Sequence, residues 1–77
     1  MIETEYLFVI QVKDTGKTTV WEVRSKAPRS TLGLVKWYPP WRQYCFFPGP
    51  ETVFSHGCLE DINAHIKRLM GERRHPK

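Results

Sequence analysis

The chain has no apolar run long enough to cross a bilayer, no basic leader ahead of a small-residue cleavage site, and only two cysteines. A spanning helix needs about 20 consecutive apolar residues. The opening MIETEYLFVIQV offers neither that length nor the charge pattern of a secretion signal. The expectation is a cytoplasmic protein that does not enter a membrane. Cys45 and Cys58 fall short of the several bridges usual for a secreted domain of this size, so both are expected as reduced, half-buried thiols. With His56 they make an H-x-C plus one distant sulfur, which lacks a fourth ligand at zinc spacing, and no metal is expected.

Also missing are a glycine-rich phosphate loop, an oxyanion device and a paired acid-base constellation. The residue types able to do chemistry are Cys45, Cys58, His56, His65, Glu60 and Asp61. Cys58 falls near a predicted helix start, where the dipole can lower a thiol pKa, with His56 two residues away. Packing in the first helical turn explains Cys58 as well. Glu60 and Asp61 suit the positive end of that helix, and His65 is expected on its solvated or boundary face. These residues predict no enzyme and no cofactor.

Acidic side chains are the minority: 12 Lys and Arg face 8 Asp and Glu, for a net charge of +4. That balance favours acidic partners, such as phosphate backbones or anionic protein faces. Aromatic residues are abundant at 13%, which helps a short chain, because large rings supply much buried area per residue. Seventy-seven residues make one domain, 1–77, and bury only roughly 60% of the surface exposed by the unfolded chain.

EYLFVIQVK is rich in β-formers, and DTG follows, where Gly16 suits the left-handed position of a three-residue hairpin loop. KTTVWEVRSK is the returning strand, with Thr19, Trp21 and Val23 toward the core. SKAPRST, residues 25–31, is read as a loop in which Pro28 stops the ladder. LGLVKWY and WRQYCFF then flank Pro39-Pro40. A turn over Tyr38 to Trp41 pairs position 37 with 42, 35 with 44 and 33 with 46. This register gathers Val35, Trp37, Arg42, Tyr44 and Phe46 on the core face. Lys36, Tyr38, Trp41 and Gln43 fall on the other.

TVF is a candidate short edge strand. Ser55 is a good N-cap, and Leu59, Ile62, Ile66 and Leu69 or Met70 then recur at helical spacing. The helix is predicted from about Ser55 or His56 to about Met70, with residues 72–77 as a frayed basic tail. The fold class is α+β: an antiparallel sheet of four or five strands with one C-terminal helix packed on one face. Trp21, Trp37, Tyr44, Phe46, Leu59, Ile62 and Ile66 are the predicted centre of the core.

Residues 32–66 carry Gly33, Lys36, Trp37, Trp41, Arg42, Tyr44, Phe46, Phe47 and Pro48, followed by Cys58, Leu59, Asp61 and Ile62. This resembles small uncharacterised proteins of bacteria and their prophages, which share a G-x-(I/V)-K-W-(Y/F)-x-x-W-R-x-Y-x-F-F-P run, a C-L-x-D-I motif and an amphipathic helix. The resemblance implies origin and compactness; it carries no activity. The element order is also similar to that of chromo-like modules, whose three-ring cage holds a methylated lysine. The strand that completes such a cage has no counterpart here.

The stretch KWYPPWRQYCFF holds six rings among twelve residues. Lys36, Tyr38, Trp41 and Arg42 are the candidate binding residues, because exposed Trp, Tyr and Arg most often anchor protein interfaces. A protein partner is the leading expectation. The alternative is single-stranded nucleic acid, with Tyr38 and Trp41 stacking on bases while Lys36, Arg42, Arg24, Lys26 and Arg29 track phosphates. A homodimer through an open sheet edge is a further expectation.

Overall fold

Two turn-forming segments cut the β-rich first two thirds of the chain into antiparallel strands, and a capped amphipathic segment closes it. In the computed structural model, residues 1–26 and 29–73 are described. The elements are β1 (Ile2–Glu3), β2 (Leu7–Asp14), β3 (Thr19–Lys26), β4 (Arg29–Tyr38), β5 (Gln43–Pro48) and α1 (His56–Arg73). The strands form one antiparallel sheet in chain order, β1-β2-β3-β4-β5. The predicted α+β class is therefore what the chain adopts.

Several boundaries differ from the sequence reading. The fifth strand is β1, pairing Ile2 with Val9, while Thr52–Phe54 form no strand. β3 and β4 extend through Ser25–Lys26 and Arg29–Thr31, and pair there, so most of the segment read as a loop is ladder. Pro28, expected to stop that ladder, lies outside the described residues. The loop between β2 and β3 has four residues rather than three. Asp14 Oδ1 accepts from Gly16 N–H at 2.8 Å and Thr15 Oγ1 from Thr18 N–H at 2.9 Å, with Gly16 at φ 92°. Short polar side chains thus satisfy the turn's backbone donors.

The β4–β5 hairpin pairs Trp37 with Tyr44, Val35 with Phe46 and Gly33 with Pro48. Each pairing is two residues from the predicted one, because the turn spans four residues, Pro39 to Arg42. A shift of two leaves every strand side chain on its predicted face, whereas a shift of one would have inverted them all. The exception is Arg42, predicted in the strand on the core face. It lies in the turn, exposed, with φ 56°.

The core consists of Leu7, Val9, Val23, Leu32, Val35, Tyr44, Ile62 and Leu69, with Trp21, Trp37, Phe46 and Ile66 packed half-buried around it. Leu32 joins it through a β-bulge: Val23 pairs with Gly33 and Arg24 with Thr31, leaving Leu32 as the extra residue. Leu59, predicted in the core, is 50% exposed. The buried stripe of α1 runs instead through Ile62, His65 and Leu69, with Cys58 half-buried above it. His65, expected on a solvated or boundary face, is 3% exposed.

Ser55 caps α1 as expected: its Oγ accepts from Cys58 N–H at 3.2 Å, and its carbonyl from Leu59 N–H at 3.0 Å. The helix continues through Gly71 to Arg73, beyond the predicted end at about Met70. Residues 74–77 of the expected tail lie outside the described residues.

Gly33 sits where the bulge and the hairpin meet. A Cβ there would overlap the Phe47 carbonyl oxygen and stand 2.9 Å from the Phe46 ring. The first clash is with main chain, which cannot rotate away. Gly33→Ala is therefore expected to lower stability by about 1 to 3 kcal/mol, toward the upper end. Urea denaturation checks this, and an unchanged midpoint would mean that β4 and β5 approach less closely than described.

Candidate functional site

The hairpin tip presents the four residues singled out from the sequence, and the turn's hydrogen bonds fix their arrangement. Tyr38 closes β4, and its carbonyl accepts from Trp41 N–H at 3.2 Å and Arg42 N–H at 2.9 Å. Arg42 N–H also reaches the Pro39 carbonyl at 3.1 Å. Two successive prolines narrow the backbone freedom of this turn further. Arg42 occupies a left-handed conformation that costs a non-glycine residue about 1 to 2 kcal/mol.

Trp41 is 65% exposed, and its ring rests against a neighbouring ring. It meets Tyr38 edge-on at 5.1 Å between centroids, and Tyr38 in turn meets Phe47 at 5.8 Å. The Lys36 ammonium lies 4.8 Å from the Phe47 centroid, over its face. The result is a continuous chain of contacts, Trp41–Tyr38–Phe47–Lys36, on the face of the sheet away from α1. The structure brings Lys36, Tyr38 and Trp41 together. Arg42 follows Trp41 in the turn, exposed, and is not a member of that chain of contacts.

The remaining basic candidates are spread out. Arg24 is exposed on β3. Lys26 is engaged by Glu3, Nζ to Oε2 at 2.7 Å, and sits over Phe8 at 5.2 Å. The side chain of Arg29 lies outside the described residues.

The residues with catalytic potential do not converge. Cys45 on β5 and Cys58 on α1 are both free thiols and half-buried. Among the described residues, no group of three or more His, Cys, Asp and Glu side chains stands close enough to hold a metal ion. Glu60 and Asp61 lie past the first turn of α1, which contains no acidic residue.

Among the described residues, His65 is the one strongly perturbed titratable group. Burial, and next the Arg68 charge, lower its pKa from 6.5 to about 4. Its Nδ1 lies 2.9 Å from Arg68 Nη2 and can only accept there, which leaves the proton on Nε2. Nε2 has no partner among the described residues, and the ring packs edge-on against Trp21 at 4.7 Å. Helical spacing would have found this position had histidine been counted as a core residue.

Comparison with known proteins adds kinship. The chain matches no family model, and no solved structure matches it. It is 42% identical over 72 residues, 92% of each chain, to an uncharacterised 9.3 kDa protein of Acholeplasma phage L2.

Proposed function

The chain belongs to the family of that small phage protein, and we propose that it is a non-catalytic module that binds a protein partner through the aromatic and basic hairpin surface of Lys36, Tyr38, Trp41 and Arg42. The observation that carries this reading is the Trp41 ring, two-thirds exposed at the tip of a doubly hydrogen-bonded turn and braced by Tyr38. A large apolar ring held still in water loses little freedom on binding, which is what makes tryptophan an effective interface anchor. Arg42 beside it occupies a backbone conformation that glycine would take at lower cost, and strain of that kind is often retained where a side chain is used.

No helix among the described residues is long and apolar enough to cross a membrane. Pairing of two copies through the β5 edge draws less support. Tyr44 N–H donates to Met70 Sδ at 3.3 Å, and Pro48 has no N–H to offer.

Single-stranded nucleic acid is the second reading, favoured by the exposed Trp41 ring lying between lysine and arginine in the chain. The two differ in salt response. Phosphate contacts release counterions, so nucleic-acid affinity falls steeply with salt, while a protein interface anchored by tryptophan weakens less. Titration with single-stranded DNA and RNA oligomers at low and moderate salt is expected to give no saturable quenching of tryptophan fluorescence. Saturable, salt-sensitive quenching lost in Trp41→Ala would transfer the site to nucleic acid.

A further inference from the structure

Helix α1 covers one face of the sheet, and strand alternation sends Ile10, Val20, Leu34 and Phe47 to the opposite face. Register aligns Ile10, Glu22, Leu34 and Phe47 in one row across β2 to β5, so the apolar side chains flank Glu22, with Val20 adjoining the row. The four apolar side chains are only half-buried. At one end of this row a shallow depression of about 300 Å³ opens between Met1, Phe8, Ile10 and Arg24.

The charges on this face do not balance. Arg24, Lys13 and Lys36 lie on it and have no ion-pair partner among the described residues, whereas Lys26 and Glu3 neutralise each other. The remaining carboxylate, Glu22, accepts from the Thr31 hydroxyl at 2.8 Å and so turns toward the row of Arg24, with which it forms no ion pair, leaving three cations against one carboxylate. The face therefore carries apolar side chains on either side of Glu22 and a surplus of cations around them.

We propose that this open face docks an acidic amphipathic segment of a partner protein, with an apolar side chain in the depression beside Phe8 and Ile10 and a carboxylate on Arg24. The inference rests on the protein-binding reading and extends the surface from the hairpin tip across the sheet. Charge selects the occupant. A second copy would set unpaired cations against unpaired cations, and like charges across an interface oppose association. A nucleic acid would satisfy the charge but needs open ring faces for stacking. The phenyl faces here carry the ammonium groups of Lys26 and Lys36, at 5.2 and 4.8 Å. A segment carrying both carboxylates and apolar side chains uses the row, the depression and the cations together.

The test is selection from a random dodecamer peptide display library on the immobilised full chain, followed by titration of an enriched synthetic peptide observed through backbone amide resonances. Enriched sequences are expected to combine Asp or Glu with Leu, Ile or Phe. Their titration should shift Phe8, Ile10, Arg24 and Leu34, and Arg24→Glu should weaken binding about tenfold or more with an unchanged thermal midpoint. Enrichment of basic or uncharged peptides, no enrichment, shifts confined to α1, or an Arg24→Glu variant that binds as well as wild type would overturn the proposal. So would the same resonances moving with protein concentration alone or with an oligothymidylate. If Trp41→Ala abolishes capture of a protein partner while Arg24→Glu does not, the hairpin reading stands and this extension falls.

Discussion

Tyr44→Ala is expected to leave the chain without a cooperative fold at ambient temperature. The ring is 6% exposed and meets Trp37 edge-on at 5.4 Å. Its hydroxyl accepts from Thr19 N–H at 3.1 Å, which ties the start of β3 to β5 on the core side of the sheet. Truncating a buried large ring costs about 3 to 5 kcal/mol. Leaving the half-buried Thr19 N–H without an acceptor adds about 1 kcal/mol or more. Domains this small are stable by roughly 5 to 10 kcal/mol at most, so the loss consumes most of what is available. Tyr44→Phe separates the two contributions, since it keeps the ring and removes only the acceptor. It should fold, weakened by about 1 kcal/mol. Urea denaturation followed by far-ultraviolet dichroism checks both, and a Tyr44→Ala variant melting within about 1 kcal/mol of wild type would displace Tyr44 from the centre of the core.

Acid should destabilise the fold through His65. In the unfolded chain its imidazole takes up a proton near pH 6.5; in the fold, burial first and the Arg68 charge second hold the pKa down to about 4. Above pH 6.5 the ring is neutral in both states and its contribution is complete. As pH falls from 6.5 through 4, the unfolded chain binds a proton that the folded one refuses, and stability declines, by up to about 3 kcal/mol from one group. A second proton would have to go on Nδ1, where the Arg68 guanidinium donates and offers no acceptor. His65→Leu removes the titration together with the unpartnered Nε2 donor. Wild type should lose stability relative to His65→Leu between pH 6.5 and 4, and the two should run parallel above pH 6.5. Parallel curves throughout would mean that water reaches the ring.

The sequence shows most of the frame because its signals are local. Ser55 supplies the cap it advertises, and the alternation in β3, β4 and β5 sets which side chains face α1. Alternation determines parity, not register, and the two-residue difference at the Pro39–Arg42 turn lies in that gap. No turn residue marks Arg42 as left-handed; the hydrogen bonds to the Tyr38 and Pro39 carbonyls hold it there. The short strand β1 has too few residues to show a period, and appears only because β2 has an edge to pair. Leu59 and His65 exchange their expected environments because periodicity leaves the centre of the α1 stripe uncertain by about one residue, and packing against Trp21 decides it. Parity alone places Lys36, Tyr38 and Trp41 on one side. The braced geometry of Trp41 depends on ring contacts between separate strands and a turn, which spacing does not encode.

The most direct test of the hairpin's role is affinity capture from nuclease-treated bacterial lysate with wild type and Trp41→Ala, with thermal midpoints measured alongside. Trp41 is exposed and outside the core, so Trp41→Ala should keep the wild-type midpoint within about 0.5 kcal/mol of stability. The account predicts a discrete protein retained by wild type after nuclease treatment and lost with Trp41→Ala at that unchanged midpoint. Equal retention by both, or retention that disappears once nucleic acid is digested, would contradict it.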